Sequence, residues 1–287
     1  MFMYSNLIIS LLILSHIVGD FYLQNNKIAK GKIHSDNILL KHSIHHFLTS
    51  LLLTISFFSI KLTIILFGFA FSHYLVDKHK IRLSKKYNKY SLILFFTDQF
   101  LHILIIFAAY PLYHFLDLNT LYINLSNMII NIYPILKVIN NNIWTQLILS
   151  ISFFLFIING GTIITKLTLL ELSSQYTSEA KNNEAVETHD ISNTTNPSIH
   201  EIAATLDESN SKSGGEIIGI LERILIFTFI LINNYVAITF VITAKSIARF
   251  DKITKDKSFS DKFLIGTLTS TSIAIFCGFL YKVLFLK

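Results

Sequence analysis

The sequence predicts an all-α fold, a polytopic transmembrane bundle of about seven or eight helices. Two observations predict it. Over 287 residues the mean hydropathy is +0.55, with 52% hydrophobic and only 15% charged residues, whereas about a quarter of an ordinary soluble domain is charged. The apolar residues also fall in long runs, near the ~20 residues that cross a bilayer. A transmembrane barrel would show short alternating segments instead.

The apolar runs predict helices over 3–23, 38–60, 62–81, 91–116, 143–171, 216–248 and 262–285. The first has no basic n-region and no small-residue cleavage site, so it reads as a retained helix and not a signal peptide. Asn124, Asn127, Asn131 and Pro134 dilute residues 119–139. Hydropathy allows that stretch an interfacial position, but charge topology favours a spanning one, which returns the basic stretch before the last helix to the cytoplasm. The run 216–248 is too long for one simple span at about 1.5 Å per residue. It is expected to extend beyond the bilayer or to bend near Asn233-Asn234. Residues 173–215 are rich in Ser, Thr, Asn and Glu, with Pro197 and Gly214-Gly215. They cannot bury enough apolar surface to offset their ordering entropy and read as a flexible polar linker. The organisation expected is an N-terminal four-helix membrane domain (1–118), additional membrane or interfacial helices (119–172), the linker (173–215) and C-terminal transmembrane helices (216–287).

The net charge of +6 is unevenly placed. Lys27, Lys30, Lys32 and Lys41 join the first two helices, and Lys78, Lys80, Arg82, Lys85, Lys86 and Lys89 the third and fourth. Lys245, Arg249, Lys252, Lys255, Lys257 and Lys262 precede the last. The positive-inside rule makes these loops cytoplasmic and the N-terminus external. Topology thus explains the basic runs without a nucleic-acid partner, and the expected partner is the lipid bilayer. The single cysteine, Cys277, excludes an internal disulfide or a thiolate metal site. The glycosylation patterns at Asn124 and Asn193 carry no weight in so Asn-rich a chain.

Four hydrophobic segments each carry two ionisable residues four positions apart: His16 with Asp20, His42 with His46, His73 with Asp77, and Asp98 with His102. Four positions are one helical turn, so each pair projects from one face. The pairs alternately close and open their segments, and antiparallel helices would therefore bring all four to the same side of the bilayer. A His and an Asp one turn apart can simply satisfy each other, and near helix ends can reach interfacial water. Four such pairs on one side are costly to bury without function. Imidazole and carboxylate together suit Zn, Mn or non-haem Fe, and helix pairs with i, i+4 ligands are how bundles build metal sites. Eight candidates leave room for two metals or for carboxylates that orient histidines. Gln24, one turn beyond Asp20, is within reach. His34, His79 and His114 read as solvated. A second polar group comprises Glu222 and Arg223 inside an apolar run, with Lys245 and Arg249 one turn apart. It suits either packing ion pairs or an anionic lipid headgroup.

The string His16-Ile-Val-Gly-Asp20-Phe-Tyr-Leu-Gln24, followed by His42, His46, His73-Tyr-Leu-Val-Asp77 and Asp98-Gln-Phe-Leu-His102, resembles the bacterial membrane family called domain of unknown function 3307. The strings Gly219-Ile-Leu-Glu222-Arg223, Ala244-Lys245-Ser246-Ile-Ala-Arg249-Phe250 and Leu264-Ile-Gly266-Thr267-Leu268 are similar to the tail that accompanies that domain. The resemblance implies a bacterial plasma (inner) membrane protein and brings no activity with it. A looser similarity, to a family of inner-membrane metal-dependent hydrolases, adds modestly to a hydrolase reading.

The leading expectation is a membrane-embedded, metal-dependent hydrolase at the cytoplasmic leaflet, acting on a phosphoester or another anionic lipid-like substrate. His16, Asp20, His42, His46, His73, Asp77 and His102 would hold the metal, and Asp98 would be a ligand or general base. The alternatives are transport or metal and proton handling, and a non-enzymatic membrane subunit. His42-Ser-Ile-His45-His46 matches one histidine box of membrane desaturases, but the companion boxes are absent.

Overall fold

The computed structural model describes residues 4–24, 26–87, 90–135, 140–184 and 214–285. Lys89, Asn193 and Pro197 lie outside them. The described residues are helical, with no strand. Among the described residues, five helical segments are long and apolar enough to cross a membrane: Ser5–Leu23, Ile60–Lys86, Ser91–Ala108, Asn141–Leu172 and Lys257–Phe285. The chain forms two compact units, one of Met1–Arg82 with Phe95–Leu155, the other of Leu83–Leu94 with Phe156–Lys287.

In the first unit α1 (Ser5–Val18) runs into a π-helical turn, Gly19–Leu23. Then come α2 (Asn26–His34), α3 (Asp36–Leu53), α4 (Ile60–Lys86), α5 (Ser91–Ala108), the short α6 (Tyr110–Tyr113), α7 (Thr120–Ile132) and α8 (Asn141–Leu155). The sequence-expected helix over 38–60 stops at Leu53, and the one over 91–116 stops at Ala108. Pro111 follows that second break; it has no N–H for a helix interior and sits instead at the start of α6.

The faces of α4 show the design. Ile60, Ile64, Phe67, Phe71 and Leu75, spaced four, three, four and four, are exposed. Leu62, Leu66, His73 and Asp77 are buried. Large apolar side chains thus point outward and ionisable ones inward, the arrangement expected of a helix solvated by lipid. Ile8, Ile9 and Leu12 of α1 pack with Phe57, Leu62, Leu66 and Ile106 as an apolar core. His114 is not simply solvated, since its Nδ1 lies 3.0 Å from Ser5 Oγ. Ser15 and Ser50 hydrogen-bond at 2.9 Å, and such small polar residues let α1 and α3 approach closely.

Within 119–139 the structure has one α-helix, α7, and residues 136–139 lie outside the described residues. At 13 residues α7 is about 20 Å long, short of the ~30 Å hydrocarbon core. None of its residues is buried. Asn124, Asn127 and Asn131 share one face, and Leu121, Leu125, Met128 and Ile132 share another, a pattern suited to an interface.

The second unit holds the π-helical turn Phe156–Gly160, α9 (Gly161–Glu184), α10 (Gly214–Leu231), α11 (Tyr235–Ala248), α12 (Phe250–Lys255) and α13 (Lys257–Phe285). The expected linker is shorter than 173–215. Residues 173–184 continue α9 and contain no Gly or Pro to stop it, and Gly214-Gly215 open α10. Its remainder, 185–213, lies outside the described residues.

Nor is 216–248 one helix. Asn233 takes a left-handed φ of 60°, which Asn tolerates better than most residues. Its N–H donates to Ile230 O at 3.1 Å, and that of Asn234 donates to Phe229 O at 2.8 Å. These two bonds close a helix C-terminus, and the Asn234 side chain then caps α11. The chain reverses there. Lys245 on α11 reaches Glu222 on α10 at 2.5 Å, so the two helices form an antiparallel hairpin. Along α13, Thr267, Ser270, Thr271, Ala274, Cys277 and Gly278 are a buried stripe of small residues. A Cβ on Gly278 would sit 2.8 Å from Ile230, so this stripe lets α10 come close.

Candidate metal centre

The structure brings the eight ionisable residues of α1 and its π turn, α3, α4 and α5 into one cluster, seven of them buried and Asp20 nearly so. Asp20 lies at its middle. Its Oδ1 accepts a hydrogen bond from His46 Nε2 at 2.9 Å and is 3.4 Å from His42 Nε2 and 3.6 Å from His73 Nε2. Its Oδ2 accepts from Gln99 Nε2 at 2.9 Å and is 3.8 Å from His16 Nε2. Asp77 Oδ2 is 3.7 Å from His42 Nε2 and 4.0 Å from His73 Nε2, while its Oδ1 is 3.9 Å from His102 Nε2. His42 Nε2 and His73 Nε2 are 3.3 Å apart. All five imidazoles therefore present the same ring nitrogen to the cluster.

Two local features make the crowding possible. The helix widens into a π turn at Asp20, a device frequent at functional sites. Gly19 takes ordinary helical angles, so it is not needed for its backbone freedom. A Cβ there would lie 2.3 Å from His46 Cε1. Its bare backbone is the floor under the His46 ring.

Three cationic or amide groups complete the cluster, and sequence reasoning missed their part. Lys32 Nζ donates to Asp77 Oδ2 at 2.9 Å and to Gln24 Oε1 at 2.8 Å. Lys80 Nζ donates to Asp98 Oδ2 at 2.8 Å. Gln99 bridges Asp20, Asp98 and His16, accepting from His16 Nε2 at 3.3 Å. Lys32 and Lys80, which the sequence accounts for by topology alone, turn inward. The signal for Lys80 was its position, three residues after Asp77 and seven after His73 on one helical face. Lys32 carried no such signal, because α2 was read as a loop. Gln24 reaches the cluster only through Lys32. His45 is half-buried and belongs to none of the ligand groups.

The distances suit an ion. Ligands held at 2.0–2.2 Å on a tetrahedron lie about 3.3–3.6 Å apart. That is the separation found among Asp20 Oδ1, His42 Nε2 and His73 Nε2, too long for hydrogen bonds of normal strength. Three groups have ligand atoms mutually within 4.8 Å: His16, Asp20, His46 and His73; His42, His73 and Asp77; and Asp20, Asp98 and His102. His102 Nε2 and Asp98 Oδ1 face each other across 3.8 Å, both buried and neither hydrogen-bonded among the described residues. Buried polar atoms are seldom left so. Beneath the rings lies a cavity of about 40 Å³ walled by Ser15, Ser50, Ser72, Leu12, Phe69 and Ile106. It has room for water.

Residues 8–131 match a family described as Protein of unknown function (DUF3307). That segment is similar to the DUF3307 family. The matched segment contains the whole cluster, Gln24, Lys32, Lys80 and Gln99 included, and ends before the C-terminal strings. No curated protein and no solved structure matches the chain.

The second polar group is built differently. Glu222 pairs with Lys245 and not with its neighbour Arg223. Arg223, only 3% exposed, donates to Ile157 O at 2.9 Å, Ile158 O at 3.2 Å, Thr162 Oγ1 at 2.5 Å and Ser270 Oγ at 3.2 Å. Those carbonyls belong to the π turn Phe156–Gly160, whose i→i+5 pattern loosens the normal ladder. A Cβ on Gly161 would lie 2.8 Å from Arg223 Nε.

Proposed function

We propose that this is an integral membrane protein of the bacterial plasma membrane whose DUF3307-like domain holds one divalent transition metal, Zn, Mn or Fe, for hydrolysis of an anionic ester at the cytoplasmic leaflet. One observation carries the reading: five imidazole Nε2 atoms and three carboxylates converge within a buried cluster and leave His102 Nε2 and Asp98 Oδ1 without partners. Charge supports a single ion. Three carboxylates against the ammonium groups of Lys32 and Lys80 leave one net negative charge with neutral imidazoles. One divalent ion reverses that to one positive charge, and loss of one proton from water in the cavity restores neutrality. A second divalent ion would leave the cluster strongly positive in a low-dielectric setting, which is costly.

A divalent ion with an open position lowers the pKa of its water toward 7 and supplies a nucleophile. The chain's own groups do the rest. Without metal, Asp20 and Gln99 hold His46 Nε2 and His16 Nε2 in the cluster, and Asp98, across from His102, would serve as a proton acceptor. The cavity accommodates water and not a phosphoester, so substrate enters from the side of Lys32 and Lys80. Their ammonium groups favour an anion.

Proton or metal handling is the alternative reading, and the buried serines of α1 bear on it. Ser5, Ser10 and Ser15 are buried along α1, each turned about 140° from the one before. They are five residues apart, about 7.5 Å of helix rise, a gap no hydrogen bond spans, and apolar Ile8, Ile9 and Leu12 lie between. That favours a site over a path.

Metal analysis of protein purified without chelator tests the reading. One equivalent of a divalent transition metal is expected, lost in His46→Ala and in His73→Ala, with ester turnover faster on anionic than neutral substrates. Absence of metal from the wild type removes the nucleophile and leaves a hydrogen-bonded cluster. Metal without turnover on either substrate class supports metal handling.

A further inference from the structure

The C-terminal unit has a second cavity, open to the outside and of about 700 Å³, among α9, α10, α11 and α13. That is far more than water requires and within the range of pockets that enclose small amphiphiles. Its walls are of two kinds. Leu169, Phe240, Val241, Phe259 and Phe263 give an apolar surface, while Lys166, Lys245, Arg249 and Lys262 supply cations. Two carboxylates answer them: Glu216 pairs with Lys166 at 3.1 Å and Glu222 with Lys245 at 2.5 Å. Arg249 and Lys262 have no acidic partner among the described residues. Deeper in, Arg223 is buried among carbonyls and hydroxyls with no carboxylate in hydrogen-bond contact. Thr267 lines the same wall, only 7% exposed, and its hydroxyl has no partner.

We propose that this cavity binds one anionic phospholipid, its phosphate received by Arg249 and Lys262 and an acyl chain lying along Phe240, Phe259 and Phe263. Excess positive charge beside a donor with no partner calls for an anion, and guanidinium suits phosphate oxygens. The apolar walls call for hydrocarbon in the same ligand, which a free phosphate does not supply. The location agrees. Arg249 closes α11 and Lys262 stands near the start of α13, on either side of the basic stretch 249–262. A basic segment at helix ends is placed at headgroup level, where anionic lipids gather. This site shares no residue with the metal centre and does not depend on it.

The full chain, purified in detergent, would be offered equal phosphatidylglycerol and phosphatidylcholine of matched chains and examined by native mass spectrometry. Retention of one phosphatidylglycerol, favoured severalfold, is expected: both lipids carry the phosphate, but the choline cation of phosphatidylcholine adds a like charge beside Arg249 and Lys262. The preference should fall as salt rises. Arg249→Gln with Lys262→Gln should bring it near unity. Lys262→Gln alone, at an exposed position, should lower it in part without threatening the fold. Equal retention of the two lipids in the wild type overturns the proposal, as does a preference unchanged in Lys262→Gln and the double variant. Displacement of the lipid by millimolar inorganic phosphate alone would assign the site to a free anion and overturn it too.

Discussion

Gly19→Ala perturbs the metal centre from a residue that contributes no ligand atom. Helix propensity by itself predicts a gain of about 0.5–1 kcal/mol, because Gly19 already has helical angles that Ala adopts at lower entropic cost. The site predicts the opposite. The new Cβ would stand 2.3 Å from His46 Cε1 and 2.6 Å from Nδ1. The ring has no room to retreat, with its centroid 3.8 Å from that of His73 and 4.7 Å from that of His42. Overpacking of this kind costs about 1–3 kcal/mol, so the net change is a loss of about 1 kcal/mol. Moving the ring also breaks the 2.9 Å bond from His46 to Asp20 and turns Nε2 away from the cluster. A misdirected ligand should cost about 10–100-fold in metal affinity, or about 1.4–2.8 kcal/mol. Gly68→Ala is the matched control, since nothing lies within 4 Å of its Cβ, and it should show the propensity gain with unchanged affinity. Thermal unfolding and competition with a chromophoric chelator read both quantities. If Gly19→Ala behaves like Gly68→Ala in both, the close-approach argument is wrong. The stability arm stands whether or not metal binds.

Three further outcomes follow from the geometry. Lys80→Met should destabilise the metal-free protein by about 3–5 kcal/mol, the cost of leaving buried Asp98 without its cation; it should also tighten divalent binding at least severalfold as the centre gains negative charge. Unchanged affinity in that variant would contradict the one-ion charge balance. Arg223→Met should lower the unfolding temperature by the equivalent of about 1–3 kcal/mol for each carbonyl of Ile157 and Ile158 left bare. Arg223→Lys should fail to restore it, because one ammonium cannot serve four acceptors on three helical segments; full rescue would refute that reading. Topology reporters placed near residue 195 and within 251–256 should both score cytoplasmic. An external score at 195 would reinstate a spanning 119–139.

That last expectation shows where sequence reasoning ended. The charge rule needs a crossing at 119–139 only if 216–248 is one pass. The reversal at Asn233 supplies the missing return, bringing the stretch 249–262 back to the end of the hairpin where α10 begins, without help from α7. Hydropathy sums apolar residues over a window and cannot register a single left-handed residue, and two adjacent Asn are only a hint. The sequence by itself determined the all-α class, from composition and run length, and the membership of the cluster, from pairs four apart at alternating ends of successive segments. Those are local periodicities, fixed by helix geometry before any packing. Tertiary structure decided the rest. Lys32 and Gln99 join the centre through contacts 45 and 79 residues away in the chain, which no helical repeat encodes. Gly19 matters only because His46, on another helix, lies over it. Arg223 finds its acceptors in a π turn 65 and 66 residues earlier. Burying a charge requires every neighbour that satisfies it, and which neighbours those are is settled only when the helices meet.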